Sequence, residues 1–276
     1  MTAPAEPRAL ELNAEQFRIV GERLRGIAGI TLGAGKEGLV RARLAPRLRA
    51  LGLASFAEYL ERVEADRTGA ELARMVDALT TNKTNFFREA EHFGVMRDQL
   101  VRPRRSEGRL RIWSAGCSSG EEPYTIAMVL RDALGDGCDA RVLATDISSR
   151  MVARARAAEY PVEALDDVPA TFAPRHFERV RDDAGERVRV VQSTRALVTV
   201  ARLNLMAEWP MRGPFDAIFC RNVMIYFDRD TQERLVQRFA SLLAPRGLLF
   251  VGHSESLSAL RHDLRYVCPA VYQASA

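Results

Sequence analysis

Three carboxylates are the residues whose types and spacing first point to chemistry. Glu121 and Glu122 follow a run of small residues, 114–120, that reads SAGCSSG, and Asp146 ends a second apolar run, 140–145. Leu110, Ile112 and Trp113 precede the small residues, and Pro123 and an apolar series to Met128 follow them. That order predicts strand, tight loop and helix, with Pro123 at the first helical position and both acids in the first turn. Gly116, Ser118 and Gly120 take the places of a G-x-G-x-G loop with serine in the middle. An acid closing the second strand of such a unit is placed to bind the two hydroxyls of a ribose, which points to a nucleoside-containing cofactor. A dinucleotide site wants G-x-G-x-x-G aimed at a pyrophosphate, and two carboxylates at that point would repel it. They suit a cationic ligand instead, such as the sulfonium and ammonium groups of S-adenosylmethionine. The charge pattern prefers methyl transfer to hydride transfer.

The elements that must position these acids belong to a chain of 276 residues, 47% hydrophobic and 28% charged, long enough for one large or two small domains. No apolar run approaches the length of a membrane span. The first ten residues, MTAPAEPRAL, read as a disordered lead without the apolar segment of a signal peptide, so a cytoplasmic location is expected. Cys117, Cys138, Cys220 and Cys268 lie far apart without a C-x-x-C pair and read as reduced thiols. The four histidines show no metal-ligand spacing, and no metal is expected. The formal net charge of +4 lies wholly in residues 1–109, while residues 110–276 balance. A surplus that small fits an acidic protein surface as well as nucleic acid.

Four short amphipathic helices are predicted over 11–80. Asn13 with Gln16 reads as a capping box before Phe17, Val20, Leu24 and Ile27. After Gly33 and Gly35 a second helix runs through Val40, Leu44, Leu48 and Leu51. Ser55 with Glu58 and Thr68 with Glu71 start a third and a fourth, with apolar faces Phe56, Tyr59, Leu60, Val63 and Leu72, Met75, Val76, Leu79. The second helix carries Arg41, Arg43, Arg47 and Arg49 with no acid between them. Arg41, Arg43 and Arg49 spread opposite the apolar stripe and Arg47 borders it, a solvated face or a docking face for an acidic partner. Pro46 is expected to kink or split this helix.

Residues 81–108 read as a connector. TTNKTNFFRE (80–89) ends in adjacent phenylalanines and an Arg–Glu pair, with Thr84 or Asn85 as a cap for a helix through Phe93, Met96 and Leu100. A basic linker with Arg102, Arg104 and Arg105 follows, Pro103 ending the helix. The methyltransferase-like region is expected over 109–276. Prolines 161, 169 and 174, the turn Asp182-Asp183-Ala184-Gly185 and the alternating strand 187–191 predict an inserted antiparallel β element at about 160–196. Strands at 197–203, 215–220 and 248–252, a helix at 231–243 and one terminal strand near 266–273 complete the sheet.

TTNKTNFFRE, IWSAGCSSGEEPYTIAM, TDIS, FDAIFCRNVMIYFD and GLLFVGHSES, in that order over about 80–256, closely resemble the chemotaxis receptor methyltransferases, the CheR family. The resemblance implies an α/β, Rossmann-like S-adenosylmethionine-dependent methyltransferase domain with a small β insert, preceded by a small all-α domain. The implied activity is methylation of glutamate side chains on the cytoplasmic domains of methyl-accepting chemotaxis receptors. The cofactor would be S-adenosyl-L-methionine, leaving S-adenosyl-L-homocysteine. Matched by position, Asn82, Thr84 and Arg88 would reach the cofactor from outside the Rossmann-like domain, near its methionine end. Gly116 and one acid of Glu121-Glu122 would serve the amino-acid part, Asp146 the ribose, and Asn204 and Leu205 the adenine. Arg221 and Asn222 would lie at the mouth where the methyl group is presented. Arg88, Asn222 and Tyr226 are the candidates at the reacting centre, Tyr226 shaping the acceptor site. His253 reads as turn or supporting packing. The basic helix, with Arg41, Arg43, Arg47 and Arg49, looks like the face that reads the receptor. The insert looks like the subdomain that in some members pairs with a peptide at the receptor's C-terminus.

A glutamate acceptor, with an ordinary pKa of about 4.3, is already ionised near pH 7, so in-line transfer needs no general base. This agrees with the lack of a histidine or paired-carboxylate constellation. RNVMIY lies where amino-methylating enzymes of nucleic acids carry an N-P-P-Y-like motif, but it lacks the prolines, and there is no basic-aromatic strip for bases. Nucleic acid and membrane insertion are therefore not expected. A non-catalytic receptor-binding adaptor is disfavoured by the intact Glu121, Glu122 and Asp146.

Overall fold

The computed structural model describes residues 10–103, 109–135, 139–182 and 185–275. The lead at 1–9, Arg104 and Arg105 of the basic linker, Cys138 and the turn residues Asp183 and Ala184 lie outside them. The chain divides into two compact units, Met1–Thr81 and Asn82–Ala276.

The first unit is helical. Helix α1 (Ala14–Ala28) opens on the expected capping box: Gln16 N–H donates to Asn13 Oδ1 at 2.8 Å and Asn13 N–H to Gln16 Oε1 at 3.0 Å. Helix α3 (Phe56–Ala65) starts at Ser55 and buries the four apolar residues its spacing marks. Helix α2 (Glu37–Ala50) buries Val40, Leu44 and Leu48 and runs unbroken through Pro46, which removes one ladder donor without ending the helix. Helix α4 (Ala70–Leu79) corrects the sequence reading of its start. Gly69, in the left-handed region, is the cap, and Asp66 rather than Thr68 accepts the Glu71 N–H at 2.6 Å. Glu71 is thereby released from capping and turns inward to Arg47.

The second unit is built on a seven-stranded sheet. Its strands are β1 (Arg109–Ala115), β2 (Asp139–Asp146), β6 (Val198–Arg202), β7 (Phe215–Cys220), β8 (Leu243–Val251), β9 (Arg265–Cys268) and β10 (Val271–Gln273), in the order β6-β2-β1-β7-β8-β10-β9. The first five in that order are parallel, and β10 pairs antiparallel with both β8 and β9. Counted along the chain, the parallel strands follow the 3-2-1-4-5 order of a doubly wound sheet, whose ligand crevice lies outside the carboxyl ends where the order reverses. Here the reversal falls between β1 and β7. The single terminal strand expected near 266–273 is a hairpin, because Pro269 and Ala270 turn the chain after β9.

Helices α6 (Glu121–Leu134), α7 (Ser149–Ala157) and α10 (Arg229–Leu242) connect these strands. Helix α6 starts two residues before Pro123, on Gly120 at φ 104°, so proline is its third residue and still in the turn whose N–H groups have no helical partner. The insert is a second, three-stranded antiparallel sheet in the order β3-β5-β4, formed by β3 (Glu159–Pro161), β4 (Phe177–Asp182) and β5 (Gly185–Val190). Short helices α8 (Ala173–His176) and α9 (Gln192–Arg195) flank it.

The described part of the presumed connector is core rather than linker. Phe86 packs with Tyr124, Tyr160 and Phe177 against the insert, while Phe93, Met96, Leu100 and Val101 join the main core. Helix α5 (Glu91–Met96) continues as a π-helical turn, Arg97–Val101, and its cap is Ala90, so neither Thr84 nor Asn85 caps it. Phe87 at φ 52° and Glu89 at φ 53° bend residues 86–90 sharply. Such backbone in a bulky residue costs about 1–3 kcal/mol, offset here by Phe86 and Phe87 meeting Tyr160, Phe177, Phe93 and Phe172 edge-on.

Candidate active site

Gly116, Asp146, Asn204 and Arg221 with their neighbours follow the carboxyl ends of β1, β2, β6 and β7, and the 82–88 segment meets them through Asn82 O and Arg88 O. The loop after β1 is fixed to β2 by backbone, since Gly116 and Cys117 N–H both donate to Thr145 O, at 2.8 and 2.9 Å. Gly116 sits at φ 89°, and a Cβ there would meet Val223 Cγ2 at 2.5 Å, so the loop and the segment after β7 approach as only glycine allows. Ser118, at φ 48°, donates its N–H to Asp146 Oδ2 at 2.9 Å, and its hydroxyl reaches Asn82 O at 3.1 Å. Ser148 N–H donates to the other oxygen, Oδ1, at 2.8 Å. Asp146 thus holds the glycine loop and the start of α7 together.

The adjacent acids are not equivalent. Glu121 takes two contacts from the Ser119 hydroxyl, at 2.7 and 2.9 Å, and among the described residues no cation pairs with it. Burial raises its pKa. Glu122 accepts from the Ser114 hydroxyl at 2.7 Å and pairs with Arg221 at 3.3 Å. Burial raises its pKa too, against the pull of Arg221. Glu122 is committed inside the protein, and Glu121 is the acid left for a cationic ligand.

Arg221 does not lie at an open mouth. Its side chain is 2% exposed, pairs with Glu89 at 3.1 Å as well as with Glu122, donates to Arg88 O, and stands over the Phe93 ring. Burial pushes Glu89 upward, but the charge and hydrogen bonds of Arg221 prevail and hold its pKa below the usual value. Arg221 therefore ties the 86–90 bend to α6 and β7. The Arg88 guanidinium donates to Lys83 O at 2.8 Å. Thr84 and Tyr226 are half-buried, Tyr226 closing a short turn, Met224–Tyr226. Asn204 closes a turn after β6 by accepting the Met206 N–H at 3.0 Å, beside buried Leu205.

Glu255 was missed by sequence reasoning, which weighed only His253 in GHSES. It accepts N–H bonds from Gly252 at 2.6 Å, Asn222 at 2.7 Å and Ile225 at 3.1 Å. This fixes Asn222 in the left-handed region at φ 59° and clamps the segment that carries Tyr226. The available signal was Asn222 itself, since asparagine is the non-glycine residue that most readily takes that conformation. Glu255 is a positioning residue. Glu255→Gln turns an amide N–H₂ toward backbone donors, and we expect kcat to fall on the order of 10–100-fold with cofactor affinity nearly unchanged. Steady-state kinetics with calorimetry checks this, and a variant less stable but unaltered in kcat would remove the positioning role.

Comparison with known proteins decides the family. Residues 82–271 match the CheR methyltransferase, SAM binding domain, and residues 15–80 the CheR methyltransferase, all-alpha domain. The chain belongs to the CheR methyltransferase family. It is 45% identical over 260 residues to chemotaxis protein methyltransferase 2 of Pseudomonas aeruginosa, covering 94% of this chain and 92% of that one. The chemotaxis protein methyltransferase of Klebsiella aerogenes is 44% identical over 265 residues, with 95% and 90% covered, and that of Escherichia coli 42% over 268 residues, with 96% and 93%. This chain is thus a methyltransferase with a SAM-binding domain, and the donor set of the crevice fits that cofactor. Asp146 suits paired hydroxyls and Glu121 suits an ammonium or sulfonium, while Arg221, the cation beside the start of α6, is already held by Glu122 and Glu89.

The four arginines of α2 divide. Arg47 forms a two-pronged pair with Glu71, at 2.8 and 2.5 Å, and Arg43 donates to Leu79 O at 2.6 Å and Thr81 Oγ1 at 2.9 Å. Both are bound within the helical unit, and Arg41 and Arg49 remain exposed.

Proposed function

We propose that this methyltransferase converts glutamate side chains on the cytoplasmic domains of methyl-accepting chemotaxis receptors to methyl esters, acting in the cytoplasm. The observation that carries the reading is the carboxylate of Glu121, in no ion pair among the described residues, at the glycine loop that Asp146 holds, an arrangement for a cationic nucleoside, in a chain whose relatives are named chemotaxis protein methyltransferases. Asp146 would hold the ribose, Glu121 the amino-acid end, Asn82, Thr84 and Arg88 its outer contacts, and Asn204 and Leu205 the adenine. S-adenosyl-L-methionine, when bound, supplies a methyl group activated by a sulfonium. The acceptor carboxylate is ionised near pH 7, so the protein's part is to orient it and exclude water. Asn222 and Tyr226, on the segment held by the Glu255 clamp, would impose that orientation. Arg221, locked between two acids, would act through the shape of the 86–90 bend.

Docking is assigned to the exposed Arg41 and Arg49. Replacing both with alanine is expected to raise the apparent KM for receptor several-fold and leave kcat unchanged, with the difference shrinking as salt rises. A loss confined to kcat would contradict this. Strand β4 is an outer strand of the insert, and an extended receptor peptide could add to its edge. No helix of the described residues is long and apolar enough to cross a membrane.

The deciding experiment incubates the enzyme with methyl-labelled S-adenosylmethionine and receptor-containing membranes. Label released as methanol by mild base identifies a carboxyl methyl ester. Base-stable label, or label on added RNA or DNA, would overturn the substrate assignment.

A further inference from the structure

One member of the Arg221 network, Glu89, also belongs to a second group of side chains. Glu89, His92 and His253 each offer one ligand atom, and the three atoms lie within 4.8 Å of one another. His92 is 1% exposed, and neither of its ring nitrogens has a hydrogen-bond partner. An imidazole carries a donor and an acceptor, or two donors, and burying both nitrogens unmatched is costly unless something else occupies the space between them and their neighbours.

We propose that Glu89, His92 and His253 form a binding site for a transition-metal dication, with zinc the best match. Two imidazoles and a carboxylate are a recurrent zinc set, and one pair already has nearly the required separation while all three donor atoms lie within 4.8 Å. His92 Nδ1 and Glu89 Oε2 are 3.6 Å apart, and two atoms on one tetrahedral zinc stand about 3.4 Å apart. The His92 and His253 ring centroids are 5.0 Å apart, close to the separation of about 5 Å for two imidazoles on one such ion. His253 is exposed, so the fourth position opens to solvent.

The surroundings also suit an added positive charge. Glu89 and Glu122 flank the single guanidinium of Arg221, giving the trio a formal charge of −1 before an ion enters. Arg221 already donates to Glu89, the kind of outer contact that orients a ligating carboxylate. Phe250 packs against His92 and walls off one side. Sequence spacing concealed the set, since α5 and the loop after β8 meet only through the fold.

The test titrates the untagged full-length protein with zinc against a chromophoric indicator and records its cobalt(II) absorption. We expect one tight zinc per chain, the intense visible bands of a four-coordinate cobalt ion and no thiolate charge-transfer band. His253→Gln, an exposed substitution outside the cofactor contacts, is expected to lower the affinity by about tenfold or more without moving the melting temperature. Absence of stoichiometric binding, binding that survives His253→Gln, or a thiolate spectrum that places the ion on a cysteine would each overturn the site.

Discussion

Replacing Arg221 with methionine is expected to cost about 3–5 kcal/mol of folding stability and to abolish methyl transfer. The side chain is 2% exposed and faces two carboxylates that are themselves mostly buried. Removing it leaves Glu89 and Glu122 without their cation and Arg88 O without its donor. A whole domain holds only about 5–15 kcal/mol of net stability, so the loss is visible as a large fall in the denaturant midpoint. Adding Glu122→Gln to Arg221→Met removes one stranded charge and recovers part of the stability, which a general packing defect would not allow. Arg221→Lys should fail to rescue, because one ammonium cannot serve Glu89, Glu122 and the Arg88 carbonyl in the fork geometry of a guanidinium. A cost below about 1 kcal/mol, the range of exposed pairs, would show that the network is solvated.

Much of the fold was legible because it is written in local chemistry. The Asn13 capping box, the start of α3 and the strand–loop–helix around Gly116 depend on residues a few positions apart, and each formed, α6 beginning at Glu121 rather than at Pro123. The failures share a cause in tertiary demand. Thr68 and Glu71 fit a capping box, but Glu71 gains more from a buried two-pronged pair with Arg47, and Asp66 takes over the cap. That pair, with the Arg43 contact to Leu79, also halves the arginine face read from α2. Residues 81–103 read as a connector because their polar run carries no period, yet aromatic packing draws them into the cores of the second unit.

The candidate site was legible in its acids and less so in its supports. Asp146 and Glu121 stand where the sequence put them, after a strand and after a glycine loop. Which of Glu121 and Glu122 is tied up inside the protein depends on Arg221, a partner 99 positions from Glu122 that no local pattern announces. Glu255 acts entirely through backbone N–H groups, and His92 and Glu89 meet His253 only through folding. Chemistry carried by side-chain type can be read in sequence, and chemistry carried by convergence cannot.

Asp146→Ala is expected to weaken binding of S-adenosylhomocysteine by about 100-fold or more, since two hydroxyl bonds to a charged acceptor contribute roughly 3 kcal/mol together. The residue has two tasks that the experiment must separate. It would grip the ribose, and it holds the backbone of Ser118 and Ser148, whose N–H groups lose their acceptor on substitution. Loop disorder alone would weaken every ligand alike. Loss of the grip instead removes the protein's preference for a ribose over its 2′-deoxy counterpart. Calorimetry with both ligands on both proteins therefore forms a cycle. The wild type should discriminate strongly and the variant hardly at all, so that the two substitutions are far from additive. If the variant keeps the preference while losing overall affinity, Asp146 is a scaffold for the glycine loop and another group holds the ribose. If affinity is unchanged, the crevice at the end of β2 is not where the nucleoside sits.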